Sequence, residues 1–145
     1  MHKQWLLNTQ FGQEKKVMAG IKQIFSVYAP HYDRVEDMMT AAAEACLNAF
    51  EHGNKMRADA RVLVQISIKD DEVRYRVYDE GAGFEYNPAA VRERAAVAAD
   101  FSQLADRGWG IMLIANLADM VCTGFENNRF FLEMQFFIRE RVHNA

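Results

Sequence analysis

Between Val62 and Lys69 hydrophobic and polar residues alternate, with Val62, Val64, Ile66 and Ile68 on one side and Leu63, Gln65, Ser67 and Lys69 on the other. A period of two predicts a strand with one face buried. Asp70 and Asp71 supply a turn, and Val73, Tyr75 and Val77 predict the antiparallel partner of a hairpin. Upstream, Gln4 to Gln10 reads as a short strand. Gln13 to Tyr28 reads as a helix with Val17, Ile21, Ile24, Phe25 and Tyr28 at helical spacing, ended by Pro30. Arg34 to Glu51 predicts a second helix, with Val35, Met39, Ala42, Cys46 and Phe50 as its apolar stripe and Gly53 with Asn54 as its stop signal.

Past Gly81 the periodicity lapses. Up to Gly108 the chain reads as a loop, interrupted by Pro88 and an alanine-rich helical patch from Ala89 to Ala99. An insertion of that length in a compact domain suggests a functional loop or lid. Gly110 to Met120 predicts a helix through Ile111, Leu113, Ile114, Leu117 and Ala118. A closing hairpin is expected from Met120 to Phe125 and Arg129 to Ile138, turning around Glu126, Asn127 and Asn128, with Phe130, Leu132, Met134 and Phe136 on one face. This order predicts an α+β two-layer sandwich in which helices pack on one face of a mixed, mostly antiparallel sheet.

Composition narrows the function. With 145 residues, half of them hydrophobic, the chain suits one core, so residues 1–145 are expected to form a single domain. The net charge is -3 and the 17 Lys and Arg residues are scattered, which argues against nucleic acid as a partner. Cys46 and Cys122 lack metal-ligand spacing and read as buried cytosolic thiols. No apolar run approaches the roughly 20 residues of a membrane span, and Met1-His2-Lys3-Gln4 leads into no signal-peptide core, so a soluble cytoplasmic protein is expected.

Three segments carry candidate chemistry. On the second helix Glu44, Asn48 and His52 recur every four residues, a stripe opposite the apolar one. It reads either as a solvated face or as a ligand-facing one. The short side chains of Ala41, Ala42, Ala43, Ala45 and Ala49 favour close approach, and a carboxylate beside a carboxamide suits proton abstraction and magnesium ligation. His52 reads mainly as a structural residue near the helix C-terminus. The strand period puts Asp79 on the face of Val73, Tyr75 and Val77, at the rim of an apolar cavity, where the exocyclic amino group of a purine would satisfy it; a turn residue before Gly81-Ala82-Gly83 is the other reading. Phe84 could pack under a planar ring. Asp106-Arg107-Gly108-Trp109-Gly110 precedes the helix expected at Ile111, a setting for phosphate on helix amides. The Walker and dinucleotide-binding patterns are both missing.

Together these segments bring a family into view. Glu44-Ala-Cys-Leu-Asn48-Ala-Phe-Glu-His52-Gly53-Asn54 resembles the N-box of the histidine-kinase-like (GHKL or Bergerat) ATPases. Asp79-Glu-Gly81-Ala-Gly83-Phe84 resembles their G1 box, and Arg107-Gly108-Trp-Gly110-Ile-Met-Leu-Ile their G2 box. The short chain and the Glu-His-Gly-Asn ending look most like the anti-sigma-factor serine kinases of the SpoIIAB and RsbW branch. The resemblance implies a Bergerat fold binding ATP and Mg2+, with a lid at about 84–107. It implies Glu44 as catalytic base, Asn48 as magnesium ligand, Asp79 as receiver of the adenine amino group, Gly81 and Gly83 as shapers of its pocket, and Arg107, Gly108 and Gly110 at the phosphates. Asp106 and Trp109 depart from the smaller residues usual there. No histidine resembles a phosphoacceptor, so a complete sensor kinase is not expected. The implied activity is a protein serine/threonine kinase acting on a STAS-domain anti-sigma-factor antagonist, with a sigma factor as a second partner and a homodimer as the assembly. The alternative is a nucleotide-responsive binding module with little or no phosphoryl transfer.

Overall fold

The computed structural model describes residues 1–89 and 106–138. The alternating segment forms strand β2 (Arg61–Lys69), paired with β3 (Glu72–Asp79) through a turn in which Asp70 has φ +56°. Val62, Val64, Ile66 and Ile68 are all buried, as are Val73, Tyr75 and Val77 opposite them. The closing hairpin joins β4 (Met120–Glu126) to β5 (Arg129–Phe137). Its two turn residues, Asn127 and Asn128, both have positive φ, the conformation that matches strand twist in a two-residue hairpin. With β1 (His2–Asn8) these strands make a five-stranded sheet in the order β1-β2-β3-β5-β4. A mixed sheet was expected to be mostly antiparallel; among the described strands every pairing is antiparallel.

Among the described residues, three α-helices cover one face. Helix α1 (Glu14–Tyr28) and helix α3 (Asp106–Leu117) flank a central α2 (Val35–Asn48), which touches both. Burial on several sides explains why α2 departs from the single stripe expected of it. Met38 is fully buried where Val35 and Met39 are half-buried, and Ala41, Ala42, Ala43, Ala45 and Ala49 are all inside. Small side chains let three helices lie close together over the sheet. Phe25, Phe50, Tyr75 and Phe136 are the largest fully buried residues of the interface between the layers, each contributing roughly 1.5–3 kcal/mol by leaving water.

The turn between α1 and α2 is anchored at long range. Arg34 donates from Nη1 to both carboxylate oxygens of Asp119 at 3.2 Å and from Nη2 to the Leu117 carbonyl, the last residue of α3. Asp119 Oδ2 in turn accepts from the Phe137 amide at 2.8 Å. On the sheet's other face Arg76 holds Glu133 (Nε to Oε1 2.7 Å) and Glu126 (2.7 Å), with its guanidinium over the Phe131 ring.

Several boundaries differ from expectation: β1 lies two residues ahead of the expected Gln4 to Gln10, and α3 stops at Leu117 instead of Met120. Helix α2 passes into a π turn, Ala49–Gly53, instead of ending as α-helix at Glu51. Helix α3 begins at Asp106, four residues before the glycine expected to start it. The helical patch expected from Ala89 to Ala99, and most of the lid expected over 84–107, fall outside the described residues.

Candidate functional site

Glu44 and Asn48 lie one turn apart on α2, and the solvated reading of their stripe does not hold. Asn48 is buried, and its Oδ1 has no hydrogen-bond partner among the described residues. Glu44 is half-buried, and burial raises its carboxyl above the usual carboxylate range. Above it runs α3: a Cβ at Gly110 would lie 3.4 Å from Glu44 Oε2. The first and third candidate segments therefore meet.

The second segment closes on the far end of the first. Asp79 is buried at the end of β3, on the core face where its strand period put it. Its Oδ1 accepts from the Gly81 amide at 2.8 Å, so the turn reading and the buried-carboxylate reading both hold. Gly53 lies directly against the Asp79 carboxylate, and Gly81 lies against the Gly53 carbonyl; a methyl group on either glycine would overlap those atoms. Next to this contact, Gly83 has φ +75° and packs on Phe130, whose ring centroid is 5.1 Å from that of Phe84.

What aligns Gly53 with Asp79 is the π turn. The Asn54 amide reaches back five residues to the Ala49 carbonyl at 2.8 Å, one more residue than an α-helical turn holds. The chain then leaves through two left-handed residues, Lys55 and Met56, with the Met56 amide bonded to the Phe50 carbonyl at 2.8 Å.

Compared with known proteins, residues 8–135 match the model of the family described as the histidine kinase-like ATPase domain. The chain belongs to that family. This ATPase domain is 28% identical over 120 residues to the serine-protein kinase RsbW of Bacillus licheniformis, covering 79% of this chain and 72% of the relative. Against RsbW of Bacillus pumilus it is 30% identical over 114 residues, covering 77% and 70%. A crystal structure of the RsbU and RsbW domains of a Mycobacterium tuberculosis protein superposes with a TM-score of 0.66 at 15% identity, over 95% of this chain. The ATPase domain spans 32% of that longer polypeptide, and the likeness shows a shared α+β fold.

Within the ATPase domain, Glu44, Asn48, Asp79, Gly81, Gly83 and Gly110 lie along one continuous stretch of contacts through α2, the π turn, the end of β3 and α3. Arg107 and Gly108 were expected in a loop ahead of a helix; they belong to the opening turns of α3. The physical setting survives the shift, because the first four amides of a helix have no intrahelical acceptor. Gly53 and Asn54 were read from sequence only as a helix stop and as part of a family box. Helical and strand periods carry no mark for them, since a π turn adds a residue without changing composition.

Proposed function

We propose that this chain is an ATP-dependent protein serine/threonine kinase of the anti-sigma-factor type, acting on a STAS-domain antagonist and capturing a sigma factor. The observation that carries the reading is the buried Oδ1 of Asn48, without a hydrogen-bond partner among the described residues, one helical turn from the desolvated carboxylate of Glu44. A buried acceptor left unmade costs roughly 1–3 kcal/mol, so a position that keeps one has a use for it. A neutral amide oxygen suits Mg2+, which keeps several waters and takes few protein ligands beside substrate phosphates. Consistent with that, no group of three or more His, Cys, Asp or Glu side chains that could cage a metal occurs among the described residues. The relatives' name, serine-protein kinase, supports the reaction class.

In this reading Mg2+ held at Asn48 would neutralise phosphate charge. Asp79 would accept the adenine amino group in the pocket shaped by Gly81 and Gly83. Residues 84–107 would serve as a lid, and Arg107, Gly108 and Gly110 would meet the phosphates. Glu44 would orient the serine hydroxyl of the partner and take its proton as the oxygen bonds to the γ-phosphorus and ADP departs. Burial makes Glu44 a stronger base than an exposed glutamate, a direction that suits this role. A cytoplasmic setting belongs to this reading; no helix among the described residues is long and apolar enough to cross a membrane. Homodimerisation, common in the branch it resembles, completes the proposal.

The test incubates radiolabelled ATP and Mg2+ with this protein and candidate STAS-domain proteins from the same genome. The expected result is serine labelling of one candidate, reduced about 10²- to 10⁴-fold by Glu44→Ala with ATP binding retained. Partner control that proceeds unchanged in Glu44→Ala would leave a nucleotide-responsive binding module instead. A wild-type protein that binds no ATP would end both readings.

A further inference from the structure

Asn54 is fully buried, and three of its side-chain hydrogen-bonding positions are filled. Its Nδ2 donates to Thr9 Oγ1 at 2.9 Å and to the Arg61 carbonyl at 3.0 Å, while its Oδ1 accepts from the Glu80 amide at 2.7 Å. The Thr9 hydroxyl spends its proton on the Ala60 carbonyl at 2.7 Å, so it can only accept from Asn54, which settles which way round the amide stands. One side chain thus joins the end of β1, the start of β2 and the residue immediately after Asp79.

That third contact is where a structural tie becomes a functional one. Glu80 lies between Asp79 and Gly81, whose amide is bonded to the Asp79 carboxylate. A second tie acts on the same residue, because Glu80 Oε2 accepts from the Arg61 amide at 2.5 Å. The corner that aims Asp79 is therefore held through backbone by Asn54 and through side chain by Arg61. Asn54 also follows Gly53, the residue that presses on the Asp79 carboxylate. It makes no hydrogen bond to Glu44 or Asn48.

We infer that Asn54 is the positioning residue for the nucleobase end of the pocket: through the Glu80 amide it fixes the orientation of the Asp79 carboxylate, and so the preference for a purine bearing a 6-amino group. This rests on the nucleotide reading above and extends it to a residue acting through another. Its effect belongs to base discrimination, separate from the chemistry at Glu44.

The experiment measures the affinity of wild type, Asn54→Ala, Glu80→Ala and Thr9→Val for ATP and for purine riboside triphosphate, which lacks the amino group. Wild type is expected to favour ATP, and Asn54→Ala to shrink that preference about tenfold, the size of one hydrogen bond lost from a binding equilibrium. Glu80→Ala keeps the amide that Asn54 holds and loses only the side-chain tie to Arg61, so it shrinks the preference less; Glu80→Pro lacks that amide, leaves Asn54 its bonds to Thr9 and Arg61, and stands in if Asn54→Ala does not fold. Thr9→Val cuts the same network away from Glu80, so it should lower the melting temperature and keep the preference. Retention of the wild-type preference in folded Asn54→Ala, or in Glu80→Pro where the former is unfolded, overturns the inference. So does an equal loss in Thr9→Val, which would mark the network as merely structural. A wild-type protein that binds neither triphosphate refutes the nucleotide reading itself, a separate outcome from a wild type that prefers ATP while its variants do likewise.

Discussion

Glu44 and Asn48 are each destabilising where they stand, and for different reasons. Asn48 carries a buried oxygen without a partner among the described residues, a cost of roughly 1–3 kcal/mol to the folded chain. Asn48→Ala should therefore leave the ligand-free melting temperature unchanged or raised, while abolishing the rise produced by Mg2+ and ATP. Thermal melts with and without both ligands test this, and a full ligand-induced rise in the variant would count against Asn48 as the magnesium ligand. Glu44 has its carboxyl raised by burial, so the folded state binds its proton more tightly than the unfolded state. Its contribution is fully present below the ordinary glutamate range and is lost as pH rises through the higher folded value. Glu44→Gln should flatten that fall, seen in urea unfolding across the mildly acidic range. Both residues were legible in the sequence because four-residue spacing is a helical signal. Their solvated alternative was settled only by α3 lying over them, a contact from a segment more than sixty positions away in the chain.

At the scale of elements, the site depends on an irregular one. The π turn delivers Gly53 to Asp79, and the two glycine backbones at 53 and 81 pack against each other. Gly53→Ala should cost about 1–3 kcal/mol by overpacking and weaken ATP binding together with it. Urea midpoints and ATP titrations of the variant check both effects, and a variant with wild-type values would mean the contact relaxes freely. The two hairpins are legible nearly to the residue, since alternation fixes a face and turn residues fix an end, whereas β1, without a turn to mark it, lies two residues ahead of its expected place. The ends of α2 and α3 are not legible in this way. Glycine was taken as a boundary at Gly110, yet there it serves a close approach to Glu44 inside a helix, which composition cannot distinguish from a stop.

For the molecule as a whole, the sheet has one face under helices and one face bearing its own polar network. Burial alone would raise Glu133, but hydrogen bonds from Arg76, Gln135 and Cys122, with Arg74 nearby, hold it below the usual carboxylate range. This carboxylate stabilises the fold above the ordinary glutamate range, and the contribution is lost as pH falls through the depressed folded value, opposite in sign to Glu44. Glu133→Gln should reduce stability near neutral pH and flatten the acid limb in urea unfolding; an acid limb as steep as wild type would assign it to other groups. The fold class could be read from element order alone, whereas this network could not, because its members come from three strands brought together only by register. A last consequence concerns the bond from Arg34 to the end of α3. With Leu117 and Asp119 tied there, that helix is hinged at one extremity like a lever. It has 12 residues, so it is about 18 Å long, and a tilt of about 10° about that fulcrum carries its opposite extremity through about 3 Å. Gly110, beside Glu44, lies seven residues or about 10.5 Å from that fulcrum and moves through about 1.8 Å, so a small change of angle at Arg34 is felt at the site.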